Sequence, residues 1–173
     1  MQISLLSRKL LLALAMVLLM PTANGEANSD PHHGPAMNFH VIDERLATGG
    51  HFVGDGLEAI VARGVTVVID LRPEPPEGQA QRLAAHGVEW INIPVAWQAP
   101  RREDFAAFAA TMQAHAGEKV FVQCQANYRA STMTYLYRIK FDGLAEPAAR
   151  KDLDAVWQPD DTWRAYIDMV LAD

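Results

Sequence analysis

Apolar positions along the chain fall into short unbroken runs that alternate with stretches of helical spacing. The run VTVVIDL, Val65 to Leu71, is β-branched and apolar throughout, which predicts a strand buried on both faces of a parallel sheet. VEWINIPV, Val88 to Val95, and KVFVQC, Lys119 to Cys124, predict two more strands, and Phe39 to Thr48 predicts a further short one ending at Gly49-Gly50. Between them, helices are expected from a cap at Asp55 through Arg63, from about Gly78 to His86, and over Arg102 to Gly117, where Glu103 and Asp104 suit a first turn. RASTMTYLYRIKF, Arg129 to Phe141, predicts a helix beginning at Tyr128 or Arg129, followed by shorter ones over Pro147–Val156 and Asp160–Ala172. Strands alternating with helices imply an α/β fold: a central, mostly parallel sheet of four to five strands flanked by helices.

The two ends of this pattern differ in character. Arg8 and Lys9 precede the apolar run Leu10–Met20, and small residues follow up to Gly25, so residues 1–25 are expected to be a secretory signal. The run is short of the roughly 20 residues a bilayer core needs, so no stable membrane insertion is expected after cleavage. Residues 26–37 are polar and proline-containing and are expected to form a flexible leader, with one domain over residues 38–173. Export would place that domain outside the inner membrane, in the periplasm.

Charge and cysteine usage narrow the chemistry. The 15 basic residues, less Arg8 and Lys9, stand against 21 acidic ones, a net charge of −8 after cleavage that argues against a nucleic-acid partner. His32 and His33 lie in the leader, and the other histidines have no ligand spacing, so neither metal nor other cofactor is implied. The chain has one cysteine, which in an oxidising compartment cannot form an internal disulfide.

Cys124 falls where a strand turns into a helix. In a parallel sheet, ligands bind beyond the carboxyl ends of the strands. The turn Gln125-Ala126-Asn127-Tyr128-Arg129 would curl its amides toward an anion, helped by the helix dipole. A thiol of ordinary pKa about 8.5 falls to roughly 3.5–7.5 in such a setting, which makes Cys124 a candidate nucleophile. Arg129 adds a planar fork of donors matched to two phosphate-type oxygens. The same residues are also compatible with a small buried thiol and a solvated arginine.

RLATGG, GVTVVIDLRPE, WINIPVAWQAP, VFVQCQANYRAST with YLYR, and VWQPDDTW occur in an order that resembles the cysteine-dependent protein tyrosine phosphatase superfamily. The similarity is greatest to its dual-specificity branch and to small bacterial phosphatase-like domains. It implies a phosphatase-like fold, Cys124 as nucleophile, Arg129 as anion clamp, and residues 125 to 129 as the anion-binding loop. It also makes Ser131 a candidate for the hydroxyl that helps the thiolate leave, and it implies that Asp70 and Arg72 brace loops. The substrate implied is a phosphorylated protein or a small phosphoester.

Three departures from the family pattern qualify this reading. The spacing is C-x4-R where C-x5-R is usual, a length that resembles rhodanese-type sulfurtransferases and some bacterial phosphatase-like domains. That leaves open a persulfide on Cys124 taken from a sulfur donor. Gln123 stands where histidine is usual. Ala96 stands where relatives carry the aspartate that protonates the leaving group, a function worth about 10²- to 10⁴-fold. Asp104 is a candidate replacement, as are Glu103, Glu74 and Glu77, although each also suits a helix start or a solvated loop. Loss of the acid leaves a third alternative open, a catalytically silent module that binds an anion or phosphoprotein. Trp97, Trp157 and Trp163 are expected to pack in the core or at its rim, with Trp97 able to wall the site.

Overall fold

The structure is a computed structural model and describes residues 34–172. The expected signal, residues 1–25, and residues 26–33 of the leader lie outside the described residues. Five strands form one sheet: β1 (His40–Val41), β2 (Leu46–Gly49), β3 (Val67–Asp70), β4 (Glu89–Asn92) and β5 (Val120–Gln123), in the spatial order β1-β2-β5-β3-β4. β1 is antiparallel to β2, and the pairs β2–β5, β5–β3 and β3–β4 are parallel. Six helices accompany them: α1 (Gly56–Ala62), α2 (Gln79–Ala84), α3 (Arg102–Ala114), α4 (Tyr128–Lys140), α5 (Glu146–Val156) and α6 (Asp161–Leu171).

The period-2 geometry of the strands splits the core between the two faces. Val67 and Ile69 of β3 and Val120 and Val122 of β5 pack with Phe108 of α3, Leu136 of α4, Leu153 of α5 and Trp163 of α6. Their neighbours Val68 and Phe121 pack on the other face against Leu57 and Ile60 of α1 and Leu83 of α2. Burial of each such side chain stabilises the fold by about 1.5–3 kcal/mol. A sheet covered on both faces needs apolar residues at successive positions, which is why the strand runs do not alternate.

Several elements depart from expectation in ways that local chemistry explains. The expected strand over Phe39–Thr48 is two strands, because Asp43 accepts backbone N–H bonds from Arg45 (2.7 Å) and Leu46 (2.9 Å) and turns the chain back on itself. Asp55 precedes α1 but makes no side-chain cap, since its backbone (φ −85°, ψ 23°) lies outside the extended region that such a cap requires. Gly78 is left-handed (φ 74°), so α2 starts one residue later than expected. The leader does not extend to residue 37. Ala36 is fully buried and pairs with Phe52, and Met37 exchanges backbone bonds with Gly50 and His51 (2.7 and 3.0 Å), so residues 34–37 belong to the domain.

Register sets the position of the functional end. Gly49, Gln123, Asp70 and Asn92 lie level with one another across β2, β5, β3 and β4. The segments that leave these four strands therefore emerge side by side, with the turn after β5 in the middle.

Candidate active site

Beneath the turn after β5 lies a network of buried polar side chains. Asp70 accepts from the backbone N–H of Arg72 (3.0 Å) and from its Nε (2.9 Å), and the Arg72 Nη2 donates to Asp70 and Gln79 (2.7 Å). Gln79 Nε2 donates to Asp70 (3.1 Å) and to Gln123 Oε1 (2.8 Å), and Gln123 Nε2 donates to the Gly50 carbonyl (3.1 Å). All four side chains are buried. Asp70 already neutralises Arg72, so a neutral amide that both donates and accepts completes the network at position 123 without adding a buried charge. Asp70 and Arg72 were expected to brace loops; their side chains bond Gln79 and Gln123, and it is Gln123 that reaches the segment after β2 at Gly50 O. Gln79 carries no sequence signal, because its burial depends on how α2 packs against the folded sheet.

Gly50 allows a close approach between two chain segments. A Cβ there would lie 2.6 Å from the Gln125 carbonyl oxygen and 3.0 Å from the Ala126 Cα. The Cys124 N–H donates to Gly49 O (3.1 Å), and the Gln125 carbonyl accepts from the His51 backbone N–H (3.0 Å). Asn38 and Asn127 tie the far side: Asn38 Nδ2 donates to Ala126 O (3.1 Å) and Asn127 Nδ2 to Asn38 O (2.6 Å). Asn127 is left-handed (φ 67°), a conformation that asparagine tolerates, and it reverses the chain so that α4 starts at Tyr128. The first-turn N–H groups of α4 have no intrahelical acceptor and open onto the turn that carries Cys124. Asn38, just before β1, and His51, just after β2, carry no local sequence signal for the site, because they meet the loop only in the folded sheet.

Arg129 projects from the first turn of α4. Its Nη1 donates to the carbonyls of Val95 (2.8 Å) and Leu71 (3.4 Å), joining the segments after β4 and β3. The side chain is buried and, among the described residues, has no carboxylate within ion-pair distance. A buried cation held only by neutral carbonyls favours an incoming anion. Cys124 is also buried, at 1 % exposure. Both residues line one cavity of about 300 Å³ together with Trp97, Gln125, Ala126 and Tyr128. A cleft of about 320 Å³ lies at the opposite end of the sheet, beside Leu46 and Val120 where β2 and β5 begin, and holds no thiol.

One side of the cavity is aromatic. Tyr128 stacks on Trp157 (centroids 4.6 Å apart, planes at 12°), and Trp97 contacts Trp157 and Trp163 at 5.5 and 5.3 Å. Trp163 is buried in the core, and Trp157 follows the last turn of α5. The C-terminal helices thus support the cavity wall through Trp97 and Tyr128.

The structure does not bring every candidate to this cavity. Ser131 is buried, and its hydroxyl donates to Tyr128 O (3.2 Å). Asp104 caps α3, accepting from the Arg101 N–H (2.9 Å) and the Arg101 Nη2 (3.0 Å). Glu74, Glu77 and Glu103 are exposed. Among the described residues, no carboxylate lines the cavity.

This arrangement agrees with comparisons to known proteins. Residues 34–158 match the family described as "DSP-PTPase phosphatase fused to NAD+ Kinase". The chain belongs to this phosphatase family. Its fold is similar to that of a candidate phosphatase (DUF442) from Shewanella putrefaciens CN-32, with 29 % identity, TM-score 0.69, and 79 % of this chain and 93 % of that one covered. It is also similar in fold to the core catalytic domain of the PP-IP phosphatase SIW14 from S. cerevisiae, crystallised with citrate (14 %, TM-score 0.66, 78 % and 86 % covered). TpbA from P. aeruginosa shares the fold as well (17 %, TM-score 0.65, 83 % and 94 % covered). No curated protein sequence matches the chain. The phosphatase family and the mostly parallel five-stranded sheet place the chain in the cysteine-dependent protein tyrosine phosphatase superfamily.

Proposed function

We propose that the protein is an exported phosphatase that hydrolyses phosphate monoesters through a phosphocysteine on Cys124. The observation that carries this reading is Arg129, buried without a carboxylate partner in the same cavity as a buried thiol. In the proposed reaction the phosphoryl oxygens take the place of that missing partner, held by the Arg129 fork and the loop N–H groups. The Cys124 sulfur attacks phosphorus in line, and water then hydrolyses the phosphocysteine. Ser131 acts as a buttress of the loop through Tyr128 O, where the family resemblance implied a hydroxyl for the leaving step. The substrate is a phosphorylated protein or small phosphoester, and the apolar run after Arg8 and Lys9 supports delivery to the periplasm.

The test is steady-state hydrolysis of p-nitrophenyl phosphate by reduced protein. Cys124→Ser and Arg129→Ala should each remove turnover while the far-ultraviolet circular dichroism stays unchanged. Equal rates for wild type and Cys124→Ser would rule the reading out. The four-residue gap between Cys124 and Arg129 favours one other reading, a persulfide carrier. The Cys124 thiolate would then take the outer sulfur of thiosulfate as its S–S bond breaks and sulfite leaves, visible as an intact-mass increase that is absent in Cys124→Ser.

A further inference from the structure

The segment after β4 touches the site through Val95, which holds Arg129, and through Trp97, and offers no acid between them. The Val95 carbonyl accepts from Arg129 Nη1 at 2.8 Å, Trp97 lines the cavity, and exposed Ala96 stands between them. The candidate replacement acids lie elsewhere: Glu74, Glu77 and Glu103 are exposed and are not among the residues that line the cavity. Both oxygens of Asp104 serve Arg101, and Asp70 is enclosed by Arg72 and Gln79. A proton donor in this site would have to lie within hydrogen-bond reach of the leaving oxygen.

From this geometry we infer that the leaving group departs as an anion, so the substrates are phosphates joined to acidic leaving groups and not esters of simple alcohols. Acyl phosphates, phosphoanhydrides and esters of acidic phenols share this chemistry. The inference rests on the phosphatase reading above and specifies its substrate class. As the sulfur–phosphorus bond forms, the bond from phosphorus to the leaving oxygen breaks and its electron pair stays on that oxygen. The oxygen then takes any proton it needs from solvent. Water attacks the phosphocysteine, the sulfur–phosphorus bond breaks, thiolate is restored, and phosphate leaves with the second proton passing to solvent. The rings of Trp97 and Tyr128 favour a planar aryl group within this class.

The experiment measures kcat/KM, which reports the first chemical step, for aryl phosphates of graded phenol acidity from p-nitrophenyl to phenyl phosphate. Acetyl phosphate, pyrophosphate and glycerol 2-phosphate form separate arms that distinguish the sources of an acidic leaving group. Wild type should lose activity steeply as the phenol becomes less acidic and should show no Cys124-dependent turnover of glycerol 2-phosphate. Residue 96 is exposed, so Ala96→Asp is expected to fold. That variant should raise kcat/KM for phenyl phosphate by about 10²-fold or more, change p-nitrophenyl phosphate by less than about tenfold, and gain an alkaline limb in its pH profile. Phenyl and glycerol phosphates turned over by wild type within about tenfold of p-nitrophenyl phosphate would overturn the inference alone, because such a profile requires a protein acid. Absence of Cys124-dependent turnover on every substrate would overturn the phosphatase reading and this inference with it.

Discussion

Arg129 Nη1 donates to the carbonyl oxygen of Val95 at 2.8 Å, which ties the first turn of α4 to the segment that carries Ala96. The bond orients one edge of the guanidinium, and the buried side chain leaves its remaining donors to the cavity. Arg129 and the segment that carries Ala96 are therefore one mechanical unit, although 34 residues separate Val95 from Arg129 in the chain.

Arg129→Lys is expected to keep the charge and lose the fork. An ammonium cannot both hold Val95 O and present two parallel donors to a phosphoryl group. Activity on p-nitrophenyl phosphate should fall by about 10²- to 10³-fold, the typical cost of removing one transition-state donor. Steady-state kinetics beside a thermal melt checks this, with the melt expected to change little.

Gln123→Leu should destabilise the protein without touching the cavity lining. Leucine fills similar volume but leaves Gln79 Nε2 short of one acceptor and Gly50 O without the side-chain donor it has now. Unsatisfied buried polar groups cost about 1–3 kcal/mol each. Urea unfolding should show a lower midpoint at unchanged slope.

Gly50→Ala should disturb the loop more than the fold. The added methyl would meet the Gln125 carbonyl at 2.6 Å and the Ala126 Cα at 3.0 Å, both of them backbone, so the loop bearing Cys124 must shift. Reduced activity and weaker binding of inorganic phosphate are expected with circular dichroism preserved. Unchanged phosphate affinity, measured by competitive inhibition, would contradict this placement of the loop.

Asp152 should contribute to acid sensitivity. Burial pushes its carboxyl upward, but hydrogen bonds from His40 and Arg138 outweigh that and hold it below the usual carboxylate range. A carboxylate whose folded value is depressed stabilises the fold fully above the unfolded pKa of about 3.9, and this contribution is lost as pH falls through the folded value. Asp152→Asn should therefore lose stability at pH 7 and show a smaller further loss between pH 5 and pH 3 than wild type. Urea midpoints across that range measure the difference.

The alternation of buried strands and helices was legible in the chain itself, because a strand covered on both faces must be apolar at successive positions. Residues 67–69 and 120–122 satisfy that requirement with no help from distant residues. Cys124 at a strand-to-helix turn and Arg129 in the following first turn were legible for the same local reason. The break at Asp43 was harder to read, since an aspartate that turns the chain and one on a strand edge differ only in which backbone N–H groups they reach.

Composition and spacing by themselves determined the order of elements, the lone thiol and the absence of an aspartate at position 96. The tertiary structure alone decided which polar groups meet. Gln79 and Gln123 lie 44 residues apart, and Asn38 and Ala126 lie 88 apart. Their pairing depends on parallel strands ending at one level and on α2 closing beneath the sheet. Asp104 shows the same division: the sequence left it open as a replacement acid or a helix-start residue, and the bonds it accepts from Arg101 decide for the helix start. Hydrogen bonds between distant segments are set by packing, and packing is a property of the assembled sheet.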